Sequence, residues 1–313
     1  MGKLVATREA YGKALAELGK ENPNIVVLDA DLTKSTKTAD FGKLFPDRLF
    51  NMGVAEQNMM GTAAGLAAAG KTPFASSFAI FASGRAFEQI RNSIAYTRLN
   101  VKIAATHAGI TVGEDGGSHQ SVEDIAVMRC LPNMTVFVPA DAAETAGAVR
   151  AAAAMKGPVY IRLGRSGVPD LHGDDFVFEP GKALVMREGS DVTIVATGIM
   201  VATAKEAAES LATEGINARV LNIHTIKPID IEALVKAAKE TGAVVTAEEH
   251  SIIGGLGGAV AEVLGENYPV PIKRVGLPDV FGESGDSKAL LEKYNMTPAG
   301  IVEAVKAVLK MKK

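Results

Sequence analysis

Short apolar, β-branched runs alternate with longer stretches of helical spacing along the whole chain. The runs at 24–28, 101–105, 135–138 and 159–162 predict buried strands. Between them, 59–69, 86–96 and 142–155 predict helices. The opening MGKLVATREAYGKALAEL has the apolar spacing of an amphipathic helix. Its charges are spread throughout, unlike a secretory leader. Strand and helix in alternation imply a mostly parallel sheet flanked by helices. Ligands of such sheets bind beyond the carboxyl ends of the strands, so polar residues directly after a strand carry the interest.

The periodicity lapses over 167–189, where prolines, glycines and acids cluster, and the stretch reads as a linker with one hairpin. A second series then follows, with strands at 192–197, 217–222 and 243–247 and helices at 202–214, 231–241 and 257–264. The expected organisation is α/β with two domains, 1–167 and 189–313, each a mostly parallel sheet flanked by helices, joined by 168–188. A length of 313 residues agrees with two domains. Hydrophobic residues at 47% and charged residues at 22% suit a packed core and exclude a disordered chain. Basic residues number 33 and acidic residues 36, so the net charge of -3 gives no electrostatic footprint for nucleic acid. No apolar run reaches the roughly 18 residues of a membrane helix. The single cysteine, Cys130, excludes an intrachain disulfide and a cysteine-cluster metal site, which fits a reducing compartment. It sits near the end of a helical pattern and reads as core. The expectation is a soluble, cytoplasmic protein with no nucleic-acid or membrane partner.

Four groups of residues could carry chemistry. The densest is 107–120, with two histidines (His107, His119), two acids and four glycines. Glycines let a loop turn sharply and approach a ligand, and paired histidines suit proton transfer. The same composition also fits a plain glycine-rich surface loop. The second is Glu56, where a strand ends and an almost uncharged, small-residue helix begins. An acid there complements the helix dipole, yet a buried carboxylate also needs a partner or a proton. The third is 74–81, whose Phe78 and Phe81 are either core or an aromatic wall for a ring. The fourth is Arg8, Ser35 and Arg165, which follow strands or lie beside them. Arginines bind phosphate bidentately, although surface arginines are usually just solvated. In the second domain, 248–262 is a glycine-rich loop between strand and helix that could seat an anion. From Gly255 the third glycine of G-x-G-x-x-G is replaced by Val260, so a close-packing turn is the preferred reading.

In this order and spacing the four features resemble transketolases. GVAEQN around Glu56, the SFAIF run, and His107, Asp115 and His119 are the specific parts. From about Thr7 to Leu309 the chain is similar to the pyrimidine-binding and C-terminal domains of these thiamine-diphosphate enzymes. The resemblance implies that Glu56 hydrogen-bonds the ring nitrogen of the cofactor's aminopyrimidine. That contact favours the imino tautomer, whose exocyclic nitrogen takes the proton from the thiazolium carbon. It further implies that Phe78 and Phe81 pack around the pyrimidine and that Asp31 lies near the thiazolium. His107 and His119 would face the sugar, and Asp115 would read a donor hydroxyl. Arg8, Ser35, His107 and Arg165 would form the sugar-phosphate clamp.

The sequence departs from the family in three places. Gly84 stands where some members have Tyr, beside a one-residue shift before Arg85. Some members have Gln where this chain has His119. The Gly-Asp-Gly motif with its later Asn, which holds the metal and the diphosphate, is missing: Gly173-Asp174-Asp175 and Gly285-Asp286-Ser287 both lack the second glycine. The resemblance therefore implies the C-terminal subunit of a split transketolase, which moves a two-carbon ketol unit between sugar phosphates. Its cofactors would be thiamine diphosphate and Mg2+ or Ca2+, the metal being held by an N-terminal partner subunit. Two copies of each chain would form a heterotetramer. The β subunit of a 2-oxoacid dehydrogenase and a deoxyxylulose-phosphate synthase share the architecture and the glutamate. A non-catalytic α/β binding protein could share the fold. The histidine pattern and the clamp favour transketolase.

Overall fold

The computed structural model describes residues 4–173 and 176–312. Asp174 and Asp175, which belong to the Gly-Asp-Asp tract and to the 168–188 linker, fall outside these residues. The strands are β1 Val5–Ala6, β2 Ile25–Asp29, β3 Leu49–Asn51, β4 Thr72–Phe78, β5 Lys102–Thr106, β6 Thr135–Phe137 and β7 Val159–Arg162. They continue as β8 Gly167–Val168, β9 Leu184–Arg187, β10 Val192–Ala196, β11 Ala218–Asn222, β12 Thr225–Lys227, β13 Val244–Ser251 and β14 Ile272–Leu277. A 7-stranded sheet has the order β12-β6-β7-β5-β4-β2-β3, and a 5-stranded sheet has the order β14-β13-β10-β11-β9. Both are parallel except at one edge, where β12 and β9 run antiparallel to their neighbours.

The central strands are buried on both faces, because helices cover each side of the sheet. The helix Thr7–Glu21 shows how. Its Tyr11, Leu15 and Leu18 fall on one stripe and join a core with Ala148 and Val149 of the helix Ala142–Ala154. Glu9 in its first turn and Lys20 in its last complement the dipole.

Five parallel neighbours matter for chemistry: β7, β5, β4, β2 and β3. Their carboxyl ends lead to Arg165, His107, Phe81, Asp31 and Glu56 respectively. The topology alone thus gathers the candidate residues along one sheet edge.

The structure corrects several local expectations. The helix at the start begins at Thr7, because Val5 and Ala6 pair antiparallel with Val168 and Gly167. No hairpin forms within 167–189 among the described residues. Its two strands, β8 and β9, pair with β1 and β11 instead. The stretch 86–96 is a short α turn, Phe87–Gln89, followed by a π-helix, Ile90–Ala95. Strand β12, from the second series, adds itself to the edge of the first sheet, so the two halves share a sheet as well as a seam. Cys130 is exposed, not core: it follows the helix Asp124–Arg129, and its thiol donates to the Val127 carbonyl.

Candidate active site

Glu56 opens the helix Glu56–Ala68 and is 1% exposed. The residues one turn on, Met59 and Met60, are apolar, and the carboxylate makes no hydrogen bond within its own helix. Arg85 supplies a partner, with Nη1 2.9 Å from Glu56 Oε2. The Arg85 guanidinium also lies 4.5 Å over the Phe81 ring. Arg85 ends a π-helix, Phe81–Arg85. A π turn takes up one residue more than an α turn. That turn places Gly84 at the surface and delivers the guanidinium to Glu56.

Phe78 ends β4, and Phe81 opens the π turn. Their rings are 5.8 Å apart and within 9° of parallel, a flat wall beside Glu56. The His107 ring stacks on Phe78 at 3.8 Å, and His119 meets Phe81 edge-on at 5.3 Å. The two histidines that the sequence places 12 positions apart therefore share one aromatic cluster.

His107 follows β5 with φ 57°, and Asp31 follows β2 with φ 65°. Left-handed backbone at a non-glycine residue is strained and collects at functional sites. Arg8 Nη1 lies 3.0 Å from His107 Nε2 and donates to the Ser35 carbonyl at 3.0 Å. An arginine only donates, so His107 Nε2 is the acceptor, and Nδ1–H donates to Thr106 Oγ1 at 2.9 Å. Burial, and then the charges of Arg8, Arg165 and His119, push the His107 imidazole down to about 3. His107 is thus a neutral ring near neutral pH.

Arg165 Nη1 donates to the Val112 carbonyl at 2.6 Å and lies 3.4 Å from Asp115 Oδ2. Arg8 and Arg165 line one cleft of 270 Å³ with Ser166 and, from the second domain, Ser287. Ser35 reaches the cluster through its backbone carbonyl. Asp31 is exposed and held by Asn51, through reciprocal hydrogen bonds of 2.9 and 3.1 Å. Asp115 is likewise exposed, while His119 is half-buried with Nδ1 beside Ser118 Oγ.

Sequence reading missed Asp29. It is fully buried and accepts from the Leu32 amide and from the Thr36 and Thr38 hydroxyls, holding the 30–38 loop that carries Asp31 and Ser35. The two threonines just beyond a strand-ending Asp-Ala-Asp were the available signal. Sequence reading also missed the partner of Glu56, because Arg85 is 29 residues away. The glycine loop of the second domain is closed to an outside anion. Glu248 already accepts from the Leu256 and Gly257 amides at the helix N-terminus.

A buried carboxylate beside a flat aromatic wall fits an aminopyrimidine ring, with Glu56, Phe78 and Phe81 as the holding residues.

Comparison with known proteins supports the same reading. Residues 3–170 match the family model for the transketolase pyrimidine binding domain, and residues 181–301 match that for the transketolase C-terminal domain. A putative transketolase C-terminal section from Methanocaldococcus jannaschii is 53% identical over 306 residues, covering 97% of this chain and 96% of its own. A 6-deoxy-6-sulfo-D-fructose transketolase subunit from a Clostridium species is 50% identical, covering 97% of this chain and 95% of its own. Among solved structures, a split-gene transketolase described as an inactive β4 tetramer is 65% identical, with a TM-score of 0.93, covering 99% of this chain and 100% of its own. The transketolase of Leishmania mexicana is 28% identical, with a TM-score of 0.85. This chain spans 46% of it.

Proposed function

The chain belongs to the transketolase family, as a C-terminal subunit carrying the pyrimidine-binding and C-terminal domains, and from that premise we propose that it transfers a two-carbon ketol unit between sugar phosphates at a site completed by an N-terminal partner subunit. The observation that carries this reading is the convergence of Glu56, Phe78, Phe81, His107 and His119 with the arginine pair Arg8 and Arg165 at one sheet edge. When bound, thiamine diphosphate supplies the nucleophilic carbon that carries the ketol unit. This chain's residues then have separable tasks. Glu56 holds the pyrimidine ring nitrogen. Phe78 and Phe81 keep that ring flat against the wall and exclude water from it. Arg8 and Arg165 bind the substrate phosphate, Asp115 reads a donor hydroxyl, and Asp31 faces the reacting end.

His107 is neutral because burial and the Arg8, Arg165 and His119 charges oppose its protonation, so it accepts a hydroxyl proton once those charges are countered. A substrate phosphate competes for Arg8 and so uncovers the Nε2 lone pair for that proton. The half-buried His119 faces the same cluster and serves the other hydroxyl. The diphosphate and a divalent ion, Mg2+ or Ca2+, are assigned to the partner subunit, since the Gly-Asp-Gly motif is not in this sequence. The assembly proposed is two copies of each chain.

The test offers the reconstituted pair three reactions: ketol transfer from a ketose phosphate, acyl transfer from a 2-oxoacid to lipoamide, and condensation of pyruvate with an aldose phosphate. Ketol transfer alone is expected. A dominant second or third activity would move the chain to the 2-oxoacid dehydrogenase or deoxyxylulose-phosphate synthase reading.

A further inference from the structure

Just before its last residue, Ser251, the strand β13 carries three consecutive buried ionisable residues, Glu248, Glu249 and His250. Each has a different task. Glu248 caps a helix of its own domain, through the Leu256 and Gly257 amides. His250 Nε2 accepts from the Ala126 amide across the seam at 3.3 Å. Glu249 reaches furthest. Its Oε1 accepts from the Thr111 amide at 2.7 Å, inside the loop 107–120 that carries His107, Asp115 and His119.

The loop is shaped to receive that carboxylate. Gly109 has φ 81°, and a Cβ there would run into the Glu249 carboxyl. Glycine is therefore required twice at this position, by conformation and by approach. The Glu249 backbone is fixed in turn, because its carbonyl accepts from the buried Arg162 Nη2 at 2.8 Å. Arg162 is itself held by Asp124 at 2.8 Å. The far end of the loop leans on the same domain. Ser284 Oγ donates to the Glu114 carbonyl at 2.6 Å, Ser287 Oγ to the Thr111 carbonyl at 3.0 Å, and Gln120 Nε2 to the Glu283 carbonyl at 2.8 Å.

We propose that Glu249 is a positioning residue that sets the substrate-reading loop 107–120 from the second domain, so that this domain takes part in substrate binding. The inference rests on the functional reading above for what the loop reads, and on geometry alone for what holds it. A carboxylate accepting a backbone amide in a buried site is a strong, directional contact. Its loss leaves the Thr111 amide without that acceptor and frees the segment between His107 and Asp115. Phe78 and Phe81 meet the loop only through the His107 and His119 rings near its two ends, and Glu56 makes no hydrogen bond to it.

The test compares Glu249→Ala, Glu249→Asp and Glu249→Gln. Amide hydrogen exchange of the 107–120 peptide is measured on the isolated chain, and KM, kcat and thiamine-diphosphate affinity on the reconstituted pair. Glu249→Ala is expected to speed exchange in this peptide at least tenfold and to raise KM for the ketose phosphate about tenfold. Cofactor affinity stays within twofold. Glu249→Asp keeps the charge and withdraws the carboxylate by one methylene, so it gives the same pattern at smaller size and serves if the alanine variant fails to fold. Glu249→Gln keeps an acceptor oxygen and restores both values. Unchanged exchange in Ala and Asp overturns the proposal, as does faster exchange with an unchanged KM. A wild-type pair without ketol transfer contradicts the functional reading instead, and the exchange measurement still decides whether Glu249 holds the loop.

Discussion

The guanidinium of Arg85 donates to the carboxylate of Glu56 at 2.9 Å, and the pair is lopsided: the Glu56 side chain is 1% exposed and the Arg85 side chain 47%. Glu56 makes no other side-chain hydrogen bond among the described residues. Truncating Arg85 leaves a buried carboxylate without its donor. Arg85→Ala is expected to lower stability by about 1 kcal/mol, a figure kept small because the arginine is half in water. The loss should shrink when thiamine diphosphate and the partner subunit are added, since the cofactor ring then supplies a partner for Glu56. Thermal melts with and without cofactor check this. An equal loss in both states would show that the ring does not engage Glu56.

Glu56 itself tests the chemistry. Glu56→Gln keeps the shape of the side chain but not its charge, and Glu56→Ala removes both. Each should lower kcat of the reconstituted enzyme by 100-fold or more, in line with the roughly 10²–10⁴ typical of a positioned acid or base. Binding of the substrate phosphate should hardly change. Steady-state kinetics on both variants measure this.

The arginines predict a different signature. Charged hydrogen bonds contribute about 1.5–3 kcal/mol each, which is about a 10- to 100-fold change in binding. Arg165→Ala should raise KM for phosphorylated donors by that factor and leave an unphosphorylated ketol donor almost unaffected. Arg8→Ala should do the same and also lower kcat, because Arg8 holds His107 Nε2. Paired assays with the two donor types separate the outcomes.

A second ionisable cluster, away from the site, predicts how stability responds to pH. His172 Nδ1 lies 2.9 Å from the buried Asp141, and His172 Nε2 lies 3.5 Å from the buried Glu144. Lys205 opposes the charge on His172, and the buried His224 ring is nearby. Against the pull of burial, the Asp141 hydrogen bond and the two carboxylates hold His172 above its ordinary value. Burial raises the Glu144 carboxyl to about 7. A raised group stabilises the fold below its unfolded pKa and loses that contribution as pH climbs through the folded one. Glu144 therefore loses its contribution between about pH 4.5 and pH 7, and His172 loses its own from about pH 6.5 upward. Asp141, lowered through His172 and backbone amides despite its burial, loses its contribution only in acid. Denaturant midpoints should therefore start to fall near pH 5 and continue past pH 7, by at least about 1 kcal/mol in stability. His172→Gln should flatten the part above about pH 6.5.

Much of the architecture was legible in the chain. The strands after which the chemistry sits are continuous apolar runs, and their order of alternation with helices implied a parallel sheet. Asp31, His107 and Arg165 stood out because they come just after such runs, while Arg8, Ser35, Glu56, Phe78, Phe81, Asp115 and His119 took their roles from the family resemblance. What the sequence could not show was pairing over distance. Arg85 and Glu56 meet across a π turn, 29 positions apart in sequence. Strand β12 joins the first sheet from the second half, against the order of the chain. Glu249 looked like part of a glycine loop, because its partner, Thr111, lies 138 residues away. Cys130 follows an amphipathic pattern but falls on its solvent side, where one residue of phase decides between core and surface.

Half of a ketol-transfer site is what we propose for this chain. The most direct measurement mixes it with a chain bearing Gly-Asp-Gly and its later Asn, adds thiamine diphosphate and Mg2+, and follows ketol transfer from a ketose phosphate to an aldose phosphate. Transfer is expected from the mixture, none from either chain alone, and none above background when Glu56→Ala replaces the wild-type chain. Full activity from the mixture containing Glu56→Ala, or no ketol transfer from the wild-type mixture, would contradict this proposal.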